Sequence, residues 1–540
     1  MLLPDTQFYS ESYPDIFGTQ TRWIRDNIAK ENIKFVIGLG DIVNQGNSER
    51  QWQNANAAYL ELDGRVPYMA GIGNNDYDGN APQNRSATNF NRYFGPSRYA
   101  GYPWYQGNYN GSNENFYTKV NVGGRNYLIL MLEFAPRNAV LNWAESIIAA
   151  NPSSLVIVAT HAFLFTDNTR LGKCDPYDAG YYGLHADNDA DEMWQKMIRK
   201  YGNVIMVLSG HIGGVGTARR MDVGENGNGV HQILTDYQTQ NRGGDGFLRL
   251  LRIKPSLNQV DVVTYSPYIN QYKTDPANQW TMPFIYKTDP KYGKGLVKGY
   301  VRNASDCTAL ANVQVASSEV LTTTNPYGAF TLSSVTAGLR SFTAYREGWT
   351  QQYQMDQVTD SMTSQLNFFL SPVPASSSSY LEGRISSAVD GHFISAATVS
   401  AGGKSTASDS AGYYRLTLPE GTYSVTVSNP GWLTRTMSAN VPSSAGAVLN
   451  VAISTAGIVR GTVMRADGTP ISGAKVTLTG GVIYTTKTLV TNSAGYYSSN
   501  WTAVGSYNIQ VSASGFQDRV ATAKVSSGVI STLDFVMAAN

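Results

Sequence analysis

The stretch that decides the fold is Phe35-Val36-Ile37-Gly38-Leu39-Gly40-Asp41-Ile42-Val43-Asn44. This apolar run stops on a carboxylate between a glycine and a polar turn. The pattern predicts a buried parallel strand that delivers Asp41 to the carboxyl edge of a sheet, where open α/β folds keep their ligands. Four further apolar runs end on oxygen or imidazole side chains: 2–4 before Asp5-Thr6-Gln7, 67–73 before Asn74-Asn75-Asp76, 155–160 before His161, and 204–210 before His211. Together the five runs predict a metal site.

The first 290 or so residues alternate apolar runs with helical patterns, which is typical of α/β architecture. Amphipathic helices are predicted at 17–29, 51–62 and 191–201. Two long polar segments, 78–116 and 165–189, are predicted to be functional loops over the strand ends, because ordinary connections are shorter.

Composition limits the class of protein. A chain of 540 residues is too long for a single core, so several domains are expected. The net charge is +1 and no run of Lys or Arg stands out, which argues against a nucleic-acid or membrane-surface partner. No apolar run is long enough to span a membrane. With only 15% charged residues and 34 tyrosines, the chain has the balance of a secreted or cell-surface protein.

The cysteines and the chain start give two further expectations. Cys174 and Cys307 lie in different predicted domains, so two unpaired thiols are expected. The chain opens inside its first predicted strand without a signal peptide, so we expect a natural precursor to extend further upstream.

After about residue 293 short alternating strands replace the helical patterns, and one unit appears three times. A shared turn recurs as Asn325-Pro326-Tyr327-Gly328, Asp409-Ser410-Ala411-Gly412 and Asn492-Ser493-Ala494-Gly495. A second turn follows as Gly348-Trp349, Gly431-Trp432 and Gly515-Phe516, at glycine-to-glycine spacings of 20, 19 and 20 residues. We predict three all-β sandwich domains, at 294–373, 380–455 and 457–540, after a first domain at 1–293; a linker is predicted at 372–379.

The repeats resemble carboxypeptidase regulatory-like, transthyretin-like domains, which occur in tandem on secreted bacterial enzymes. The Gly-aromatic-aromatic turn, as in Gly412-Tyr413-Tyr414, carries this resemblance. It implies a structural role, in which aromatic side chains fill small cores and the domains act as spacers or make weak contacts with a cell surface or a polysaccharide.

The five strand-end motifs of the first domain resemble the calcineurin-like metallophosphoesterase family, whose pattern runs D-x-H, G-D, G-N-H-D/E, H and G-H-x-H. The resemblance implies a layered α/β sandwich that hydrolyses phosphomonoesters or phosphodiesters with one or two divalent metals. It also implies that Asp41, Asn74, His161 and His211 hold one ion, and that Asp41, Asp5 and Gln7 hold the other. Asp76 would orient a ligand. Carboxylate, amide and imidazole ligands together favour Mn, Fe or Zn over Mg or Ca.

Three positions depart from the family pattern. Gln7 stands where a His is usual, and Gly213 stands where the last His of G-H-x-H belongs. Asn75 replaces the His near the leaving group, and an amide cannot transfer a proton, which costs about two to four orders of magnitude in rate. His185 and His231 are the remaining histidines of this domain that could supply that proton.

Two classes of function therefore remain open. The first is an active, secreted, metal-dependent phosphoesterase, which the retained ligands around Asp41 favour. The second is a catalytically weakened or inactive surface protein used for adhesion, ligand binding or assembly, which Asn75 and Gly213 favour. The substrate cannot be read from the sequence.

Overall fold

The computed structural model describes residues 1–288, 293–317, 319–346, 348–372, 379–389, 391–442, 446–483 and 485–540. These residues form two compact units. The first comprises Met1–Gly295 with Thr336–Gly338 and Gln357–Gln365, and the second comprises Leu296–Val335, Leu339–Asp356 and Leu366–Asn540. Most of the predicted linker, at 373–378, and the stretch 289–292 before the predicted boundary at 293 lie outside the described residues.

Two seven-stranded sheets form the first unit. Their strands are β1 (Leu2–Leu3), β2 (Val36–Gly38), β3 (Tyr68–Ala70), β4 (Tyr105–Tyr109), β5 (Ser112–Val122), β6 (Arg125–Leu132), β7 (Leu155–Thr160), β8 (Val204–Ser209), β9 (Thr217–Val223), β10 (Gly229–Thr235), β11 (Leu248–Lys254), β12 (Gln259–Ser266), β13 (Gln271–Lys273) and β14 (Trp280–Pro283). One sheet has the order β13-β12-β11-β1-β2-β3, with β14 on β12, and the other has the order β4-β5-β6-β7-β8-β10-β9. The predicted strands around Asp41 are parallel, because β2 pairs in parallel with both β1 and β3.

Helices cover the outer faces of both sheets. They are α1 (Gln7–Ser12), α2 (Pro14–Asp26), α3 (Glu49–Tyr59), α4 (Thr88–Phe94), α5 (Pro96–Tyr99), α6 (Asn138–Ala149), α7 (Ala190–Lys196) and α8 (Asn241–Gly244), with 3-10 turns at Asn74–Asp76, Asp78–Asn80, Pro82–Asn84, Ala179–Tyr182, Ile198–Lys200 and Pro255–Leu257. The apolar stripes of α2 and α3 pack on the first sheet, and those of α6 and α7 pack on the second. A third core, with Ile37 and Met69 from one sheet and Ile157 and Leu208 from the other, lies between the sheets. The predicted layered α/β sandwich is confirmed.

The predicted long loop at 78–116 is wrong. The segment contains α4, α5, β4 and the start of β5. Several of its aromatic residues are buried, with Phe90, Phe94 and Phe116 at 0% exposure. Trp52 of α3 lies 6.4 Å from the ring of Phe90. The polar composition of the segment suggested a loop. Its aromatic side chains anchor it to the core, but their spacing follows neither the helical nor the strand period, so no regular element was predicted.

The expectation of two unpaired thiols is also wrong, because Cys174 and Cys307 are disulfide-bonded. Separation along the sequence does not limit which cysteines can pair in the folded chain. No helix within the described ranges is long and apolar enough to cross a membrane.

After residue 293 the described residues form strands without helices. The strands are β15 (Lys294–Asn303), β16 (Gln314–Ala316), β17 (Leu321–Thr323), β18 (Ala329–Thr336), β19 (Gly338–Tyr345), β20 (Gln352–Val358), β21 (Thr363–Gln365), β22 (Phe368–Leu370), β23 (Tyr380–Ser387), β24 (Thr398–Ala401), β25 (Lys404–Ala407), β26 (Tyr413–Thr417), β27 (Gly421–Ser428), β28 (Arg435–Val441), β29 (Gly446–Val448), β30 (Val451–Ile453), β31 (Ala456–Arg465), β32 (Lys475–Gly480), β33 (Thr485–Val490), β34 (Tyr496–Ser498), β35 (Thr502–Ala503), β36 (Gly505–Ser512), β37 (Arg519–Val525), β38 (Ile530–Thr532) and β39 (Phe535–Met537). One strand order recurs, as β17-β16-β19-β20, β25-β24-β27-β28 and β33-β32-β36-β37, each time beside a second sheet built on β15, β23 or β31. The all-β sandwich class is confirmed.

The repeated turn has the same hydrogen bonds in all three β-sandwich repeats. Asn325 Oδ1 accepts the backbone N–H groups of residues 327 and 329, both at 3.0 Å. Asp409 Oδ1 accepts those of residues 411 and 413 at 2.9 Å, and Asn492 Oδ1 accepts those of residues 494 and 496 at 3.0 Å. The glycine of each turn has a φ between 68° and 72°, which disfavours other residues. The motif repeats because this turn needs a side-chain acceptor and a glycine.

Candidate metal centre

Two of the predicted ligands sit on strained backbone just beyond strand ends. Asp41 follows β2 with a φ of 44°, and His211 follows β8 with a φ of 77°. Non-glycine residues in this left-handed region cost about 1–3 kcal/mol each and occur where the surrounding structure holds them for a purpose. Both side chains are buried, with Asp41 and His211 at 2% and 7% exposure. Their ligand atoms lie in the same space.

Three ligand atoms converge on His161 Nε2. This nitrogen lies 3.1 Å from His211 Nδ1, 3.1 Å from Asn74 Oδ1 and 3.3 Å from Asp41 Oδ1. Asp41, His161 and His211 each offer one ligand atom, and these atoms all lie within 4.8 Å of one another. The structure therefore brings together the four residues predicted to hold the first ion.

Backbone carbonyls decide which ring nitrogens face this space. His161 Nδ1 lies 2.9 Å from the carbonyl oxygen of Leu39, and His211 Nε2 lies 2.9 Å from that of Tyr177. A carbonyl can only accept, so each of these nitrogens carries its proton and leaves the other nitrogen with a lone pair. In the neutral rings His161 Nε2 and His211 Nδ1 are thus two acceptors facing each other. A cation between them satisfies both.

Burial and neighbouring charges have opposing effects on the pKa values of the cluster. Burial lowers the pKa of His161, but the neighbouring Asp41 carboxylate outweighs it and the net pKa is raised. Burial and the nearby His161 lower the pKa of His211 to about 4. Burial works to raise the pKa of Asp41, yet His161 and the Asn75 N–H lower it overall. Asp41 is therefore ionised and His211 neutral at neutral pH, which are the forms that bind a metal.

A second set of polar side chains adjoins Asp41. The Asn75 side-chain amide donates to Asp41 Oδ2 at 3.0 Å and to Gln7 Oε1 at 2.5 Å. The His211 N–H donates to Asp5 Oδ2 at 3.0 Å. The structure thereby places Asn75 and Gln7 beside the Asp41 carboxylate and Asp5 beside the His211 backbone; that Asp5 and Gln7 hold a second ion stays a prediction.

Asp76 ties the two ligand-bearing loops together. Its Oδ1 accepts the N–H of Val43 at 2.9 Å, and its Oδ2 accepts the N–H of Gly73 at 2.8 Å. Val43 follows Asp41, and Gly73 precedes Asn74. Asp76 itself is 0% exposed, so its position matches the predicted orienting role.

The residues present fit a divalent cation. Asp5 is 1% exposed, and its Oδ1 has no hydrogen-bond partner. Burial, followed by the charges of Asp236 and Asp41, raises the pKa of Asp5 well above its ordinary value. Burial and Asp41 raise the pKa of Asp76 to about 7. Buried carboxylates this close repel one another unless a positive charge lies among them.

Aromatic rings line one side of the cluster. The Phe134 ring lies 5.8 Å from that of His161 and 5.2 Å from that of His211, and the Tyr182 ring lies 5.7 Å from that of His211. Tyr182 leads outward to Tyr181, at 5.1 Å, and Tyr177 lies 5.5 Å from Tyr181. Tyr181 and Tyr177 are 69% and 50% exposed, so this row of rings reaches solvent.

Two predicted catalytic histidines have no contact with the cluster among the described residues. His231 lies in β10, is buried, and donates from Nε2 to the Pro283 carbonyl at 2.7 Å. His185 is exposed, on the loop after Tyr182. Their catalytic roles stay predictions, and neither residue has a partner in the centre.

Sequence reasoning missed Asp236 and Gln238. Asp236 directly follows β10 and is 0% exposed. The Gln238 side-chain amide donates to Asp236 Oδ2 at 2.9 Å and to Asp5 Oδ2 at 3.3 Å. The signal was weak, since the stretch 229–235 ends on a carboxylate, as the run before Asp41 does, but His231 and Gln232 interrupt its apolar residues.

Comparison with known families agrees with this geometry. Residues 2–214 match the calcineurin-like phosphoesterase family, and residues 380–454 and 458–538 match the carboxypeptidase regulatory-like domain. The chain therefore carries an N-terminal calcineurin-like phosphoesterase domain followed by carboxypeptidase regulatory-like β-sandwich domains.

A curated relative is similar to about half of the chain. It is the uncharacterized protein YvnB of Bacillus subtilis (strain 168), 34% identical over 283 residues. The match covers 51% of this chain and 20% of the relative, so the chain spans about a fifth of that protein's length.

Solved structures give weaker likenesses. The Bacillus anthracis TIE protein is 14% identical, with a TM-score of 0.16, and the match covers 54% of this chain and 58% of that one. BcpA, the major pilin subunit of Bacillus cereus, is 12% identical, also with a TM-score of 0.16, over 46% of this chain and 100% of the pilin. At these scores the likenesses support no conclusion about this protein.

Proposed function

We propose that the first domain is a metal-dependent phosphoesterase that hydrolyses phosphomonoesters or phosphodiesters. The observation that carries the proposal is the convergence of Asp41, His161 and His211 within 4.8 Å, with the outer nitrogens of the two rings, His161 Nδ1 and His211 Nε2, bonded to backbone carbonyls. Asp41, Asn74, His161 and His211 would hold one ion, and Asp41, Asp5 and Gln7 a second. When bound, Mn, Fe or Zn supplies Lewis-acid stabilisation to a phosphoryl group and acidifies water.

The chain's own residues prepare the site for such an ion. Leu39 and Tyr177 fix the two imidazole tautomers through their carbonyls, so no ring has to rotate or lose a proton at Nε2 of His161 or Nδ1 of His211. Asp76 holds the loops of Asp41 and Asn74 at a constant separation. Phe134 keeps water from one side of the imidazoles, which strengthens electrostatic interactions there.

Asn75 determines which esters this site handles well. Both hydrogens of its amide are engaged, by Asp41 Oδ2 and Gln7 Oε1. Its Oδ1 accepts the side-chain amide of Asn80 at 3.0 Å. Asn75 can therefore neither protonate a departing oxygen nor swing freely toward one. We infer that substrates with acidic leaving groups are preferred, because they depart without a proton donor.

The hydrogen bonds that hold the Asn75 amide also support the alternative function. In that alternative the chain is a catalytically weakened or inactive surface protein, and the centre binds a ligand or stabilises the fold. The β-sandwich domains would then carry the function, through contact with a cell surface or a polysaccharide. Both proposals place the protein outside the cytoplasm, secreted from or attached to a bacterial cell. The disulfide of Cys174 and Cys307 supports this location, because disulfides persist in oxidising compartments.

One experiment separates the two functions. The full chain is purified, its Mn, Fe and Zn content is measured, and hydrolysis of a bis-aryl phosphate is followed with and without added Mn. At least one metal ion per chain and turnover that Asp41→Ala abolishes support the enzyme. Protein that stays metal-free and inert at saturating Mn supports the non-enzymatic alternative. Labelling of Cys174 and Cys307 with a thiol reagent before and after reduction tests the oxidising location.

A further inference from the structure

The turn after His211 has no space for a side chain at position 213. A Cβ atom on Gly213 would lie 2.5 Å from Thr239 Cγ2. Thr239 is held there because its Oγ1 accepts the Gly214 N–H at 2.7 Å. The N–H of Asp236 donates to the Gly216 carbonyl at 2.7 Å. The segment 236–239 therefore fills the space that a side chain at position 213 would need, and position 213 is where the family pattern has its last histidine.

That segment also brings new oxygen atoms to Asp5. Gln238 Nε2 lies 2.9 Å from Asp236 Oδ2, 3.3 Å from Asp5 Oδ2 and 3.4 Å from the His211 carbonyl. Asp5 Oδ2 and Asp236 Oδ2 both contact Gln238 Nε2, so the distance between these two oxygens is at most the sum of 2.9 Å and 3.3 Å. An amide nitrogen has two hydrogens, so three oxygens are more than it can satisfy.

The charge of this region is uncompensated. Asp5, Asp41, Asp76 and Asp236 are all at most 2% exposed. Within the part of the chain that the structure describes, no Lys or Arg forms an ion pair with any of them, and His161 Nε2 lies 3.3 Å from Asp41 Oδ1. Asp5 Oδ1 and Gln238 Oε1 are buried without a hydrogen-bond partner. Buried anions of this density need cations.

We propose that Asp236 replaces the missing histidine and completes a second cation subsite with Asp5, Gln7 and Asp41, with Gln238 adjoining. This inference rests on the proposed function and concerns the second ion alone. All of its protein ligands are oxygen atoms, whereas the first subsite contains two imidazoles. Oxygen ligands favour hard cations such as Mn²⁺ or Mg²⁺, and imidazole favours Zn²⁺. The two subsites thus differ in metal preference.

Metal binding by the full chain tests the proposal without reference to activity. After chelation and dialysis, Mn²⁺ and Zn²⁺ are titrated separately by calorimetry, and spin coupling between neighbouring Mn²⁺ ions is sought by electron paramagnetic resonance. We expect about two Mn²⁺ per chain with a spin-coupled signal. Asp236→Ala should leave one Mn²⁺ at unchanged affinity and weaken the second at least about tenfold. Zn²⁺ should fill one subsite far more tightly than the other.

Two further variants serve as controls, one for loss of structure and one for a nonspecific effect of substitution in this segment. Asp236→Asn keeps the shape of the side chain and an acceptor for the Gln238 N–H, and should also lose the second ion while unfolding at the same temperature as the unsubstituted protein. Gln240→Ala, two residues beyond Gln238, should retain both ions. Two Mn²⁺ ions bound to Asp236→Ala with the affinities of the unsubstituted protein, or one Mn²⁺ in the unsubstituted protein, would overturn the inference and leave the phosphoesterase proposal standing. No bound metal in the unsubstituted protein would overturn the phosphoesterase proposal itself.

Discussion

The side-chain amide of Asn75 donates to Asp41 Oδ2 at 3.0 Å, so the residue that replaces the family's proton donor is hydrogen-bonded to the central carboxylate of the centre. Asn75 therefore stabilises the ionised form of Asp41, and its amide has no proton to give up to a leaving group. This exchange of roles is the main chemical difference between this centre and the family pattern.

Restoring a histidine at this position should broaden the range of esters. We expect Asn75→His to raise kcat for an alkyl phosphate by about ten- to a hundredfold and to change kcat for a p-nitrophenyl ester much less, because only the poor leaving group needs protonation. Steady-state kinetics on the two substrates measure this ratio. Asn75→Gln is the control, since it lengthens the side chain without adding a proton donor. An equal change for both esters would contradict the assignment.

The metal-free protein should lose stability as pH rises from about 6.5 to 8. The pKa of Asp76 is raised to about 7 and that of His161 is also raised, so in this window the folded state binds more protons than the unfolded state and its free energy of unfolding falls with pH. His211, whose pKa is lowered to about 4, acts in the opposite direction but only below its unfolded pKa of 6.5.

Thermal unfolding in the presence of a chelator measures this effect, and we expect Tm to drop by a few degrees across the window. Asp76→Asn should flatten the slope. Saturating Mn²⁺ should raise Tm more at pH 8 than at pH 6.5, because protons compete with the metal for the same side chains. A metal-induced rise in Tm that is independent of pH would argue against binding at this cluster.

Gly210 should be intolerant of even one added methyl group. A Cβ atom there would lie 2.1 Å from Asp5 Oδ1, so Gly210→Ala must displace a buried carboxylate of the centre. We expect a loss of about 1–3 kcal/mol in the free energy of unfolding and weaker Mn²⁺ binding. Gly18→Ala is the matched control, since its Cβ would meet only the mobile end of the Arg22 side chain. Chemical denaturation and calorimetry on both variants decide the matter.

The exposed ring of Tyr181 should contribute to binding an aromatic substrate. It lies at the solvent end of the row of rings that leads from His211, and an aromatic contact of this kind is worth about 0.5–1.5 kcal/mol. Tyr181→Ala should therefore raise KM for a bis-aryl phosphate about two- to tenfold and leave kcat nearly unchanged. Tyr272→Ala, at a similarly exposed tyrosine of β13, should alter neither constant. A drop in kcat alone would place Tyr181 in another role.

The repeated turn should depend on its acceptor. Asn492→Ala removes the acceptor of two backbone N–H groups, at about 1 kcal/mol for each lost bond. We expect the amides of residues 494 and 496 to exchange hydrogen faster in the full chain. Asn492→Asp should exchange normally, because Asp409 serves the equivalent turn. Asn508→Ala, on an exposed face of β36, is the control; unchanged exchange in Asn492→Ala would show that the turn forms without its acceptor.

Sequence reasoning recovered the elements of the first domain that obey one simple period. The strands before Asp41, His161 and His211 are continuous apolar runs, and β1, β2 and β3 form the predicted parallel arrangement. The helices and strands of the segment 78–116 were not predicted, because its buried aromatic residues follow no single period. Asp236 was missed because Gly-Val-His-Gln-Ile-Leu-Thr in β10 is interrupted by polar residues, although both His231 and Gln232 are buried in the fold.

The sequence by itself determined which side chains end the strands, that the strand before Asp41 is parallel to its neighbours, and that the C-terminal part repeats one turn. These are local properties, written in period, glycine position and side-chain type. Only the tertiary structure decided which nitrogens of His161 and His211 face each other, that Thr239 fills the space beside Gly213, and that Asp236 stands next to Asp5. Those outcomes depend on hydrogen bonds and packing between residues far apart in the chain, and side-chain periodicity carries no information about such contacts.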